Sequence, residues 1–97
     1  MPAAEATAGV TRDGEALRFA GALSRDEVPA LWRQALPLLV GVRRFDLAAA
    51  SGVDSAGVAL LAELASRAPA RIAVDGNPPG LAELRAAYRL QANLDFA

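Results

Sequence analysis

The sequence contains no cysteine, no histidine and no lysine, and all ten of its basic residues are arginine. These absences exclude disulfide bonds, the usual zinc sites, acid–base catalysis by histidine and Schiff-base chemistry. They also exclude the phosphate-binding lysine of a P-loop. Asp46 and Asp54 could be read as a catalytic or metal-binding pair, but no third ligand or histidine accompanies them. We therefore expect no enzymatic activity, no cofactor and no metal site.

The charges are balanced and scattered. Ten arginines stand against eleven acidic residues, for a net charge of −1, and Arg43–Arg44 is the only adjacent basic pair. This pattern lacks a basic stripe with interleaved aromatic residues, so we expect no nucleic-acid partner. The first residues, MPAAEATAG, do not resemble a signal peptide, and the longest uncharged run, 34–42, is too short to span a bilayer. We expect a cytoplasmic protein that forms a single domain over residues 1–97.

The first third of the chain predicts a hairpin followed by a helix. Asp13-Gly14 is typical of a two-residue turn between strands at 7–12 and 15–21. Ser24 is a candidate N-cap with Glu27 completing a capping box, although Pro29 also allows a start at Asp26. Apolar residues then recur at helical spacing up to Pro37 and Gly41, and we expect all of them, including the tryptophan, to pack in the core: Val28, Leu31, Trp32, Ala35, Leu36 and Leu39.

The remaining pattern alternates strands and helices. We predict a short strand at 44–48 that runs into a turn by residue 52, and a second helix from Ala56 to Arg67. Another strand at 71–74 and a turn at 75–79 precede a third helix, which runs to about Arg89 with Leu81, Leu84 and Tyr88 on one side. The order β-β-α-β-α-β-α predicts an α/β fold, a mixed sheet with right-handed crossovers and helices mainly on one face.

The segment Asp54-Ser55-Ala56-Gly57 stands at the start of the second helix. Asp54 and Ser55 are both favoured N-cap residues, and Gly57 allows another backbone or a ligand to come close. The positive end of the helix dipole would tolerate a phosphate on Ser55. A plain helix cap accounts for the same serine, so the motif alone leaves both interpretations open.

The second helix has two different faces. Val58, Leu61 and Leu64 form an apolar stripe, broadened by Leu60 and Ala65. The opposite side is small and lightly charged, which suits either close packing by a partner or an ordinary solvated surface; it carries Ala56, Ala59, Glu63 and Arg67.

The stretch 45–64, FDLAAASGVDSAGVALLAEL, resembles the STAS domain, the fold of anti-anti-sigma factors and related regulatory modules. The stretch 17–24 and the sequence Asn77-Pro78-Pro79 before the last helix fit the same layout. Within that family, SRDEVPALW at 24–32 and the helix VALLAEL are most similar to the MlaB subgroup. The resemblance and the small helix face together predict a partner-binding surface at Asp54, Ser55, Ala56, Gly57, Ala59 and Glu63.

The resemblance implies a non-catalytic subunit that binds and regulates the ATPase of an Mla-type phospholipid-transport ABC system. Such a protein would reach the inner face of the inner membrane only through its partner. The alternative is an anti-anti-sigma factor, phosphorylated on Ser55 and bound by an anti-sigma kinase. A small ligand-binding domain or enzyme is a third possibility, against which the missing histidine and lysine count.

Overall fold

The computed structural model describes residues 8–68 and 71–88. Its strands and helices follow the predicted order, with one short 3₁₀ turn on each side of the first helix, at Arg25–Glu27 and Leu36–Leu38. In chain order they are β1 (Gly9–Asp13), β2 (Ala16–Leu23), α1 (Val28–Ala35), β3 (Arg44–Val53), α2 (Ser55–Arg67), β4 (Ala73–Asp75) and α3 (Leu81–Tyr88).

The four strands form one mixed sheet in the order β1-β2-β3-β4. The hairpin pair β1–β2 is antiparallel, and the pairs β2–β3 and β3–β4 are parallel. One helix, α1 or α2, lies in each connection between parallel strands, since parallel neighbours need a long crossover connection that is usually helical. The predicted α/β class and element order are confirmed.

The core fills one side of this sheet. Phe19 of β2 and Phe45 of β3 are fully buried and meet edge to face, with ring centroids 5.4 Å apart. Their neighbours Arg18 and Arg44 are exposed on the opposite side, since successive strand residues alternate between faces. The buried helix residues that cover the aromatic pair's side of the sheet include Leu31, Ala35, Val58, Leu61, Leu64 and Leu81.

The hairpin turn lies one residue later than predicted. Asp13 pairs with Ala16 as the last rung of the ladder, so the turn residues are Gly14 and Glu15. Gly14 has a φ of 62°, the left-handed conformation that a tight hairpin requires and that glycine adopts without strain.

The strand β3 is twice as long as the predicted 44–48 segment. It continues to Val53 because the small residues of its second half pair in parallel with β2, for example Ala50 with Gly21 and Val53 with Leu23. Register shifts accompany this pairing. The turn predicted at 48–52 is therefore wrong, because the strand partner decides the conformation where alanine and glycine leave it open.

The first α-helix begins at Val28, later than either predicted start, and Ser24 holds the N-cap position of a 3₁₀ turn without a side-chain bond. The 3₁₀ turn at Arg25–Glu27 comes first, and the Ser24 carbonyl, not its hydroxyl, accepts bonds from the amides of Glu27 (2.9 Å) and Val28 (3.1 Å). Pro29 then falls in the first turn of α1, where its missing N–H costs nothing. Leu36 lies in the second 3₁₀ turn and is 36% exposed, so it is not a core residue.

The last predicted strand begins two residues late, at Ala73, although Ile72 just before it is buried. The side chain of Tyr88 and the end of the third helix at Arg89 lie outside the described residues. No helix in the described part of the chain is long and apolar enough to cross a bilayer.

Candidate functional site

The start of α2 lies where the ends of β2 and β3 meet. The amide of Asp54 donates to the Leu23 carbonyl at the end of β2 (3.2 Å). The Asp54 carboxylate then makes two further bonds: Oδ1 accepts from the Gly57 amide (2.9 Å) and Oδ2 from the Arg25 amide (3.0 Å). One side chain thus caps α2 and ties it to the turn that follows β2.

These contacts change the acidity of Asp54. Hydrogen bonds from the amides of Gly57 and Arg25 hold the pKa of its carboxyl below the ordinary value, and the Arg25 charge adds to the effect. Such bonds favour the ionised form.

Gly57 is buried against the protein's own backbone. A Cβ at this position would overlap the Leu23 carbonyl oxygen and lie 2.9 Å from the carbonyl carbon. The close approach predicted for Gly57 is therefore real, but the neighbour is β2 of the same domain. This corrects the placement of Gly57 among the partner-contacting residues: it lets α2 sit close to the sheet and offers no surface of its own.

Ser55 does not cap the helix. It is the first residue of α2, and Asp54 holds the capping position. Ser55 is exposed, and its hydroxyl makes no hydrogen bond within residues 8–68 and 71–88. Ser55 is therefore not a plain helix cap, because Asp54 holds the N-cap position and accepts from the Gly57 amide in the first turn.

The exposed side of α2 continues from Ser55 at helical spacing. Ala59 and Glu63 follow four and eight residues later and are both exposed, and Ala56 beside them is half-buried. We call these four residues, Ser55, Ala56, Ala59 and Glu63, the α2 surface. Its side chains are small at the N-terminal end, and Glu63 adds a charge at the other end.

At its charged end the α2 surface meets Trp32. Glu63 pairs with Arg67 (Oε2–Nε 3.2 Å), and the Arg67 guanidinium lies over the Trp32 indole, 5.1 Å from the ring centroid. Trp32 packs against the core but is only partly buried. The apolar periodicity of α1 predicted only that Trp32 packs in the core. The helical spacing could not reveal the arginine from α2, because that contact joins residues far apart in sequence.

The two aspartates considered as a catalytic pair lie at opposite ends of β3, roughly 25 Å apart at ~3.3 Å per residue. Asp46 accepts from the Ala48 amide (2.9 Å) and from Arg18 (3.3 Å) on the open face of the sheet. The structure therefore does not bring Asp46 and Asp54 into one site.

The chain matches the family model described as "Mlab, STAS domain" over residues 8–94. The chain belongs to this STAS-domain family. The match confirms the resemblance that the Asp54–Gly57 segment and the VALLAEL helix indicated. No curated protein sequence matches the chain. In this STAS domain the signature segment combines an internal junction, made by Asp54 and Gly57, with an exposed serine.

The Asp54 junction predicts a pH-dependent stability. Because folding lowers the pKa of Asp54, its contribution is complete above the unfolded value, 3.8, and disappears as the pH falls through the lower folded value. Asp54→Asn keeps one capping oxygen but loses the charge and the oxygen that accepts from the Arg25 amide, so it should cost about 0.3–1 kcal/mol at neutral pH. The difference in melting temperature between the wild type and Asp54→Asn should become smaller below about pH 4.

The matched control is Asp26→Asn, which removes an exposed carboxylate that makes no hydrogen bond among the described residues. It should shift the melting temperature little. A difference for Asp54→Asn that stays constant down to pH 2.5, about one unit below the ordinary value, would contradict the junction's dependence on a charged carboxylate.

Proposed function

We propose that this domain is a non-catalytic subunit that binds and regulates the ATPase of an Mla-type phospholipid-transport ABC system through the α2 surface. Family membership supports the choice of system, since MlaB-type STAS domains are typically accessory subunits. The observation that carries the proposed site is Ser55: an exposed hydroxyl, released from capping by Asp54, at the head of a surface of small side chains.

The chemistry of the α2 surface suits a helix or a flat apolar segment of the partner. Ala56 and Ala59 have no long side chain to displace, so another backbone can approach closely. The hydroxyl of Ser55 can exchange a hydrogen bond with the partner, and Glu63 can serve at the rim. Partner interfaces are commonly small and apolar at the centre and polar at the edge.

In this proposal residues 1–97 act as one domain without chemistry of their own. The protein works in the cytoplasm and reaches the inner face of the inner membrane through the ATPase. The docked domain would stabilise one arrangement of the ATPase, and regulation follows if that arrangement binds the domain more tightly than others do.

Ser55→Glu tests this surface directly. Folding should survive, because a negative charge near a helix N-terminus is favourable. Binding to the ATPase subunit of the same organism should weaken at least about tenfold, or about 1.4 kcal/mol, because a close contact would bury an unpaired charge. The measurement is a titration of the ATPase by calorimetry, alongside thermal melts of both proteins.

Two variants serve as controls. Ser51→Glu makes the same serine-to-glutamate change at an exposed position of β3, outside the α2 surface, and should bind like the wild type. Ser55→Ala should lose well under about 1 kcal/mol of stability, because Asp54 is the cap. Unchanged affinity of a folded Ser55→Glu protein would remove Ser55 from the interface.

The second candidate function is an anti-anti-sigma factor that switches partners when Ser55 is phosphorylated. The same exposed hydroxyl favours it, because it stands at the N-terminus of α2, whose dipole stabilises a phosphate. The test is incubation with an anti-sigma kinase and ATP, followed by mass spectrometry of the peptide that contains Ser55. Modification of Ser55 together with no affinity for the ATPase would support this function over the first.

A further inference from the structure

The loop between α1 and β3 exposes apolar side chains at the end of the sheet opposite Ser55. In residues 8–68 and 71–88, Val40 (81% exposed) and Leu36 (36%) are the large hydrophobic residues left in solvent, and Pro37 between them is exposed as well. We call these three residues the apolar tip. The strand β3 separates it from Ser55 by roughly 30 Å, at ~3.3 Å per residue.

The apolar tip is held in place from both sides. Leu39 and Val42 flank Val40 and are buried at 5% and 0% exposure. The guanidinium of Arg12 donates to the carbonyls of Leu38 (2.6 Å) and Val40 (2.8 Å). The structure thus presents Val40 on a braced loop, and the exposure of its side chain follows from the fold.

Arginines surround the tip. Arg33 precedes Leu36 and Pro37 by three and four residues, which places it on the same side of the chain, and Arg43 follows shortly after Val40. Among the described residues neither Arg33 nor Arg43 makes an ion pair, whereas Arg18, Arg44 and Arg67 each do. The stretch 28–45 contains no acidic residue. The exposed hairpin residue Glu15 lies beside this stretch, since its backbone carbonyl accepts from the amides of Arg43 and Arg44. The surface here is apolar at its apex, and the arginines around it, Arg12, Arg33 and Arg43, outnumber this one glutamate.

We propose that the apolar tip and its arginines contact an anionic lipid surface. Apolar side chains flanked by arginine suit the boundary between headgroups and acyl chains. There each buried carbon and each cation adds its own contribution to the binding free energy. A protein partner fits less well, because specific interfaces bury about 800 Å² on each side and three side chains on a convex loop offer far less. This contact goes beyond the proposed function, in which the membrane is reached only through the ATPase.

Vesicle flotation of the full chain tests the proposal without the ATPase. Vesicles containing about one-third phosphatidylglycerol should bind the protein at least about fivefold better than phosphatidylcholine vesicles at low salt. High salt should reduce the difference, because it screens exposed charges. The chain carries a net charge of −1, so its charge as a whole opposes this binding and only a local positive surface can produce it.

Matched arginine variants locate the contact. Arg43→Gln should weaken binding to anionic vesicles about fivefold, or about 1 kcal/mol. Arg25→Gln makes the same change beside Asp54, at the other end of the sheet, and should stay within about twofold of the wild type. Val40→Ser should also weaken binding, because it removes apolar carbons from the apex, and thermal melts check that each variant is folded.

Equal binding to both kinds of vesicle, or equal losses from Arg43→Gln and Arg25→Gln, would overturn the proposal. The proposal would also be wrong if the protein bound neither kind of vesicle while Arg43→Gln weakened the complex with the ATPase. The tip would then be a protein contact. The vesicle result does not depend on Ser55, so it stands or falls separately from the ATPase-binding proposal.

Discussion

Gly57→Ala is expected to lower the free energy of unfolding by at least about 3 kcal/mol, the upper part of the range for overpacked positions. The new methyl group would overlap the Leu23 carbonyl, which is backbone and cannot turn aside as a side chain would. The helix cannot simply move away, because Asp54 fixes it to Leu23 and Arg25 through backbone amides. Alanine's better helix propensity, about 1 kcal/mol, offsets only part of the cost.

Gly52→Ala is the matched control. Gly52 lies in β3, close to the same junction, and a Cβ there would meet the Pro79 carbonyl oxygen at 3.8 Å, an ordinary contact. It should change stability by less than about 1 kcal/mol. Urea unfolding followed by circular dichroism measures both variants. A Gly57→Ala protein as stable as Gly52→Ala would show that α2 does not need its close approach to β2.

The element order was predictable from the sequence because each helix has a clear apolar stripe and each turn a recognisable breaker. Leu17 and Phe19 alternate with Arg18 as a half-buried strand should, and Val58, Leu61 and Leu64 are buried as the spacing predicted. The second half of β3 could not be predicted, since Ala48–Gly52 has neither alternation nor strand-forming residues. Its conformation comes from pairing with β2, which is a non-local contact.

The sequence draws attention to the segment Asp54–Gly57, but the separate roles of its residues cannot be predicted from it. Asp54 and Ser55 are equally good caps in isolation. Which of the two residues caps the helix depends on Arg25. Its backbone amide, which is distant in sequence, donates to the second carboxylate oxygen of Asp54. Likewise, a glycine in a helix indicates that another backbone packs closely against it, but the sequence does not identify that backbone. The structure shows that the backbone next to Gly57 is β2 of the same domain.

Trp32→Ala is expected to cost about 2–3 kcal/mol of stability, below the 3–5 kcal/mol typical of fully buried aromatic residues. The indole packs against the core on one side, which explains the loss. Its other side is open to solvent and to the Arg67 guanidinium 5.1 Å from the ring centroid, which explains why the loss is smaller than for a buried ring. Urea unfolding followed by circular dichroism is the measurement, since the variant lacks the chain's single tryptophan.

Two further variants divide the Trp32 contribution into packing and charge. Trp32→Phe keeps an aromatic face and should recover more than half of the loss, whereas Arg67→Ala should cost only about 0.5–1 kcal/mol, the scale of an exposed cation–π contact. The double variant Trp32→Ala/Arg67→Ala should then show a coupling of similar size, because the two groups touch. A loss below about 1 kcal/mol for Trp32→Ala would mean that the indole contributes little to the core. Trp32 would then extend the α2 surface past Glu63, and Trp32→Ala should weaken ATPase binding instead.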